Sequence, residues 1–293
     1  MTDDGSPAAG FDGPVGFVGL GNIGQPMALA LVEGGFDVTV LDVREDATRP
    51  CAQAGARVAS SPREVAESCD VVAVAVVDDA QVESVVAGDD GLLATARPGS
   101  LVVLHSTLLP ATVLSLSGRA AAAGVAVVDA PVSGGDTAAR EGALTVMVGG
   151  DEADVERCRP LFDTIGEHTV VMGPVGAGAA TKLAQQLMIY CNQLAALEAM
   201  RLATAHGIDE EQLARLARLS TADSWVIRNW GFFDRLMREH PQAGSDDLYR
   251  FFSKDLFDVV VTAREDGLSL PLAGVASQLV TPAFKERARQ LGI

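Results

Sequence analysis

An α/β domain followed by an all-helical one is the fold class this sequence predicts, and three observations carry the prediction. Up to about residue 172, short β-branched runs alternate with helical stretches. Those runs are apolar on both faces, as in a parallel sheet covered by helices on each side. From Gly176 onward the helical periodicity continues with almost no strand candidates. The expected organisation is a flexible leader over residues 1–13, a doubly wound parallel sheet over 14–175 and an all-helical domain over 176–293.

In chain order, "VGFVGL" precedes a helix over "IGQPMALALVEGG", and "DVTVLD" precedes "REDATRPCAQAG". "DVVAVAVV" leads into "DDAQVESVVAG", and "LVVLHS" into "PATVLSLSGRAAAAG". "VAVVDAPV", "LTVMVGG", a helix over "DEADVERCRPLFDTI" and "HTVVMG" complete the sheet, and the long helix after Gly178 is expected to join the two domains. The opening "MTDDGSPAAGFDGP" lacks the basic and apolar regions of a signal peptide.

A length of 293 residues, 48% of them hydrophobic, suits a globular chain of two domains. The net charge of −17 argues against nucleic acid, whose phosphates need clustered Lys and Arg, and against anionic lipid. No apolar run approaches the length of a membrane span. Cys51, Cys69, Cys158 and Cys191 form no CxxC pair or His/Cys cluster, so they read as reduced packing residues of a cytoplasmic protein. His168, His206 and His240 show no metal-ligand spacing, and no metal is expected.

Chemistry enters with "VGFVGLGNIGQPMALAL", which sets Gly19, Gly21 and Gly24 between a strand and a helix as G-x-G-x-x-G. The first glycine makes the tight turn, the second lets backbone approach a pyrophosphate, and the third lets helix and strand pack closely. With Leu20, Asn22 and Ile23 between them, they form the expected dinucleotide loop. Asp42, eighteen positions beyond Gly24, ends the second strand; a carboxylate there accepts from the adenosine ribose and repels a 2′-phosphate. Glu45 and Asp46 add to the repulsion and Arg44 opposes it, so NAD is the expected cofactor, with NADP possible.

Lys182 is the only cation between Gly173 and Arg201, within the first turns of an otherwise apolar helix. A positive charge is disfavoured at a helix N-terminus. An ordinary lysine there would snorkel to water; a functional one would be an amine whose charge has been made costly. His105 and Ser106 are neighbours on a strand and point to opposite faces, which argues against a catalytic dyad.

The segments "VGLGNIGQPMALAL", "DAPVSGGDTAAREGALTVMVGG", "GAGAATKLAQQL" and "SKDL", in that order, resemble the β-hydroxyacid dehydrogenase family, over roughly Val15 to Pro271. The resemblance implies a Rossmann domain, a helical domain and reversible hydride transfer between NAD(P) and a small hydroxy acid or its semialdehyde. It places the catalytic lysine at Lys182, as the base that takes the hydroxyl proton in oxidation and the acid in reduction. It implies that Ser133, Gly134 and Gly135 hold the substrate carboxylate, and that Val77, Gln81, Thr107 and Lys254 lie along the cofactor. Val77 stands where the usual residue is proline. Gln185 and Gln186, at i+3 and i+4 from Lys182, are candidates for the substrate's oxygens; many members carry asparagine at one of them. A homo-oligomer, dimer or tetramer, is expected.

"ADSWVIRNWGFFDRLM" departs furthest from the family; Trp225, Trp230, Phe232 and Phe233 read as core of the helical domain, or as a pocket wall with Arg228 facing a second anion. The closing "ERARQLGI" lacks the Gly/Asp-containing tail of many members, which leaves a tail contribution unsupported. Two rival functions are an imine reductase, which typically replaces the lysine with aspartate or tyrosine, and a cofactor-binding sensor or scaffold, expected to have lost the lysine or the Ser-Gly-Gly turn. Lys182 and Ser133 count against both.

Overall fold

A computed structural model describes residues 13–240 and 248–293, so the expected leader lies outside the described residues except for Gly13. By its contacts the chain divides into two units, residues 1–182 and 183–293.

The first unit runs β1 (Val15–Val18), α1 (Gly24–Glu33), β2 (Val38–Leu41), α2 (Glu45–Gln53), β3 (Arg57–Val58), α3 (Pro62–Ser68), β4 (Val71–Val74) and α4 (Asp79–Ala87). It continues with β5 (Leu101–Leu104), α5 (Pro110–Ala122), β6 (Ala126–Asp129), β7 (Val132–Ser133), α6 (Gly135–Arg140), β8 (Leu144–Gly149), α7 (Glu152–Ile165) and β9 (Gly166–Gly173). The strands order as β3-β2-β1-β4-β5-β6-β8-β7, with β9 beside β8.

The alternation along each strand explains why the sheet is covered twice. Phe17, Val40, Ala73, Val103 and Val128 face one core with Met27 and Leu31 of α1 and Phe162 of α7. Their neighbours Val18, Leu41, Val74, Leu104 and Val127 face a second core with Val65 of α3, Val82 of α4 and Leu116 of α5. A strand whose successive side chains point to opposite faces needs a helical layer on each, hence the unbroken apolar runs.

The sheet is mainly parallel, with one reversal. β8 runs antiparallel to β6 and β7, because β6 continues through β7 and the short α6 and returns without a full crossover helix. A parallel return needs a crossover helix that runs back along the sheet, and the 6 residues of α6 are too few for that. β9 then runs parallel to β8.

Parallel register lines up the functional end of the sheet. Leu41 of β2, Val18 of β1, Val74 of β4, Leu104 of β5 and Asp129 of β6 stand in one row across the strands. Every loop that leaves that row leaves from the carboxyl edge, where open α/β sheets bind their ligands.

The second unit holds the greater part of α8 (Ala177–Ala205), then α9 (Glu210–Arg218), α10 (Trp225–Arg228), α11 (Phe232–Glu239), α12 (Leu248–Glu265) and α13 (Pro271–Leu291). The unit boundary falls inside α8, so its first residues, up to Lys182, belong to unit 1; within that unit Asp129 accepts from Gly176 and Ala179. The helical core gathers Tyr190, Phe233, Phe252, Leu256, Val280 and Phe284. Arg287, buried in this unit, is held by Glu210 and Asp234 with N–O distances of 2.7 Å to each. Glu210 also accepts from the Trp230 indole, and the Arg287 guanidinium lies 5.3 Å from the Trp230 ring centre. Among the described residues no helix is long and apolar enough to cross a membrane.

Candidate active site

The loop after β1 divides its three glycines by task. Gly19 has φ +94°, and a Cβ there would drive into the carbonyl of Ala75 beyond β4. A Cβ on Gly24 would meet the Gly19 carbonyl. Those two glycines are required by the protein's own packing. Gly21 is different: a Cβ there would meet nothing within 4 Å. The fold does not need a glycine at that point, whereas a diphosphate approaching the backbone does. The loop thus fits a dinucleotide.

Asp42, directly after β2, is tied to the same loop. Its Oδ2 accepts from the Leu20 N–H at 2.7 Å. Its Oδ1 accepts from the Arg44 backbone N–H at 2.8 Å and from Arg44 Nε at 3.3 Å. The aspartate expected to face ribose therefore also braces the glycine turn and engages the arginine that would favour a 2′-phosphate.

Beyond β4, the Val77 N–H donates to Gln81 Oε1 at 3.2 Å, and the Gln81 N–H donates to the capping carboxylate of Asp78. Val77 and Gln81 are thus one rigid turn at the start of α4. Ser106, which the sequence reading set aside, fastens this turn to β5: its Oγ accepts from the Val76 N–H at 2.9 Å and donates to the Val76 carbonyl at 2.8 Å. Thr107 follows in that loop. His105 is buried at 5% exposure, with Nδ1 2.7 Å from the Ala130 carbonyl and its ring stacked on Phe17. Burial pulls its pKa down to about 4, so it is a neutral packing residue at physiological pH.

Ser133 ends β7, paired opposite Thr145 of β8, and Gly134 and Gly135 follow with φ +140° and +75°. A Cβ on Gly134 would lie 2.6 Å from Ala138 Cβ. The turn is therefore specified by glycine twice over, by dihedral and by space.

Lys182 is 7% exposed, in the second turn of α8. The structure changes the expected electrostatics at this helix end. Asp129, 1% exposed, accepts at 2.7 Å from both Gly176 N–H and Ala179 N–H. A carboxylate there offsets the helix's positive end.

In the second unit, Gln186 Nε2 donates to Asp255 Oδ2, and Tyr190 Oη donates to the same oxygen at 3.2 Å. Burial, then the Asp255 charge, pushes the Tyr190 phenol well above its ordinary range. Gln185, half-buried, precedes Gln186 on α8. Lys254 is not the solvated surface residue a Lys-Asp pair usually makes: its side chain is 16% exposed, with Nζ 2.8 Å from Asp258 and 3.8 Å from Asp255. Asp255 and Tyr190 were missed by sequence reasoning. The signal for Tyr190 was its i+4 spacing from Gln186; for Asp255 it was only its place beside Lys254 in "SKDL".

The aromatic stretch divides. Phe233 lies in the core, Trp225 is 44% exposed, and Arg228 is taken by Asp223 at 2.6 Å.

A doubly wound unit whose glycine turn admits a diphosphate, followed by a helical unit with buried polar side chains, has the architecture of a dinucleotide-binding protein. Comparison with known proteins specifies it further. Residues 14–173 match the NAD binding domain of 6-phosphogluconate dehydrogenase, and residues 176–291 match the family described as NAD-binding of NADP-dependent 3-hydroxyisobutyrate dehydrogenase. The NAD-dependent L-serine dehydrogenase of Pseudomonas aeruginosa is 33% identical, over 93% of this chain and 92% of its own. A solved 3-hydroxyisobutyrate dehydrogenase from Salmonella typhimurium is 32% identical with TM-score 0.80, covering 92% of this chain and 94% of its own. The Mycobacterium tuberculosis 3-hydroxyisobutyrate dehydrogenase solved with L-serine is 27% identical with TM-score 0.81, covering 94% of each chain. The imine reductase of Streptomyces aurantiacus shares the fold alone, at 20% identity and TM-score 0.66.

The chain belongs to the β-hydroxyacid dehydrogenase family. It is an NAD(P)-dependent oxidoreductase of hydroxy acids, acting on CH–OH donors, and its first unit is an NAD-binding Rossmann domain.

Proposed function

We propose that the protein oxidises a three- or four-carbon β-hydroxy acid, of the kind represented by 3-hydroxyisobutyrate and L-serine, with Lys182 as the proton-transfer group. The observation that carries this reading is a lysine 7% exposed in the second turn of α8, a helix end already bonded to a carboxylate. An amine held there serves as a base once deprotonated and as an acid once protonated. Gly19 through Gly24, Asp42, Val77, Gln81 and Thr107 would hold the dinucleotide along the carboxyl edge of the sheet, and the family resemblance assigns Lys254 to the cofactor as well. When bound, NAD takes up or returns the hydride. Ser133, Gly134 and Gly135 would bind the substrate carboxylate, with Gln185 and Gln186 available to its other oxygens. The domain limits proposed are 14–175 and 176–293. The enzyme is read as a cytoplasmic homo-oligomer, which the exposed Leu202, Leu272 and Val275 of α8 and α13 and the buried thiols of Cys51 and Cys158 support. Absorbance at 340 nm with 3-hydroxyisobutyrate, L-serine and related acids, using both cofactors, tests the reading; no turnover of any β-hydroxy acid would sink it.

Two expected results arise here. NAD should give the higher kcat/KM by roughly tenfold or more, if repulsion between Asp42 and a 2′-phosphate reaches about 1.4 kcal/mol. Asp42→Ala should erode that preference, both by removing the repulsion and by releasing Arg44. Equal efficiency with NADP in the unmodified protein would count against Asp42 as the selector.

Substrate anchoring gives the other. Gly134→Val places a branched side chain where even a Cβ meets Ala138, at a φ that L-residues rarely adopt. KM for the hydroxy acid should rise more than kcat falls, and methyl esters or amides should react poorly with the unmodified enzyme. Undiminished activity on those neutral analogues would mean that the anion is held elsewhere.

A further inference from the structure

Asp129 ends β6, and the turn that closes over its carboxylate is built from residues far along the chain. The carboxylate accepts from Gly176 N–H and Ala179 N–H at 2.7 Å each. Two glycines keep the seat open. A Cβ on Gly149 would stand 2.6 Å from Asp129 Oδ1, and one on Gly178 would stand 2.9 Å from Oδ2. Gly178 thus marks the face of α8 turned to the carboxylate, and Lys182 lies four residues on, along that same face. Helical side chains lean toward the N-terminus, so the stem of Lys182 leans toward the end that Asp129 grips.

Both carboxylate oxygens accept from backbone N–H groups, a demand an ionised carboxylate meets and an amide does not. Burial raises the Asp129 pKa from its ordinary value, and the N–H donors of Gly176 and Ala179 oppose that rise.

We infer that Asp129 is the positioning residue for Lys182, fixing the first turn of α8 to the end of β6 and so setting where the lysine's amine stands. The inference rests on Lys182 being the proton-transfer group. In Asp129→Asn, one acceptor becomes an NH₂ that faces a backbone N–H, and the first turn of α8 must shift to relieve it. A displacement of about 1 Å at a reacting group costs on the order of 10²-fold in rate, whereas the dinucleotide loop lies on β1 and α1 and is untouched.

The test measures four proteins, unmodified, Asp129→Asn, Lys182→Ala and the double variant, with 3-hydroxyisobutyrate, or with L-serine if the unmodified enzyme prefers it. NAD binding is followed by calorimetry. Asp129→Asn should lower kcat by roughly 10- to 100-fold while the Kd for NAD stays within about twofold. In the Lys182→Ala background the same change should cost nothing further, because residues acting as a unit are not additive. A purely structural aspartate would lower both backgrounds by the same factor, and that outcome, or a near-normal kcat in Asp129→Asn, overturns the inference. If Lys182→Ala itself turns over normally, the functional reading falls and takes this inference with it. If only Lys182→Ala is impaired, the reading stands and the role of Asp129 falls. Should Asp129→Asn fail to bind NAD, Gly149→Ala disturbs the same seat with the charge retained. The same split between kcat and NAD affinity is then required.

Discussion

Lys182→Ala should lower kcat by about 10²–10⁴, the range for removal of a general acid–base. NAD affinity should change little, because Gly19, Gly21, Gly24 and Asp42 belong to the loops after β1 and β2. Lys182→Arg should not rescue turnover, since a guanidinium remains protonated and cannot take the hydroxyl proton. A snorkelling lysine would forecast otherwise, tolerating alanine at about 0.5 kcal/mol of stability and leaving kcat alone. Steady-state rates together with calorimetric NAD binding separate the two. A near-normal kcat in the alanine variant would remove Lys182 from the mechanism and turn attention to Lys254, held between Asp255 and Asp258.

The second large effect belongs to stability. Arg287→Met should destabilise the helical unit by about 3 kcal/mol, the lower end of the cost of breaking a buried ion pair from one side. The side chain of Arg287 is 8% exposed and that of Asp234 15%, but that of Glu210 is 32% exposed, which tempers the cost. Trp225 and Trp230 are the chain's two tryptophans. Trp230 lies against the Arg287 guanidinium, so urea unfolding followed by Trp fluorescence reports on this unit. The sign of the pH dependence follows from Glu210. Its pKa is lowered from 4.5, first by the hydrogen bond from Arg287, so its contribution is full above that value and is lost as pH falls through the folded pKa. The difference between variant and unmodified protein should therefore be largest near neutrality and shrink below about pH 4.5. A constant difference across that range would mean that lost packing of the arginine stem, not charge, is the cause.

These two cases mark where the sequence was legible and where it was not. Lys182 stood out because a lone cation interrupts an apolar helix, and the glycines after β1 because their spacing implies a shape. Alternation of apolar runs with helices was enough to place the sheet, its double cover and the helical domain. Arg287 gave no signal, since its partners are 77 and 53 residues away and nothing in "ERARQLGI" distinguishes it from a surface arginine. Asp129 was hidden differently: it lay in plain sight within "DAPVSGG", but its partners at Gly176 and Ala179 follow from the fold and not from local spacing. The reversal of β8 was missed because a strand's apolar pattern is the same in either direction.

The glycine turn after β1 has a consequence for how such sequences drift. Gly19 and Gly24 are required by the folded chain itself, whether or not anything is bound, because any side chain would strike backbone. Gly21 faces open space, so only an arriving ligand objects to its replacement. A descendant that gave up its dinucleotide would be held to the outer two glycines by folding while the middle one wandered. The three letters of G-x-G-x-x-G thus record different pressures, and the middle glycine is the one that testifies to occupancy.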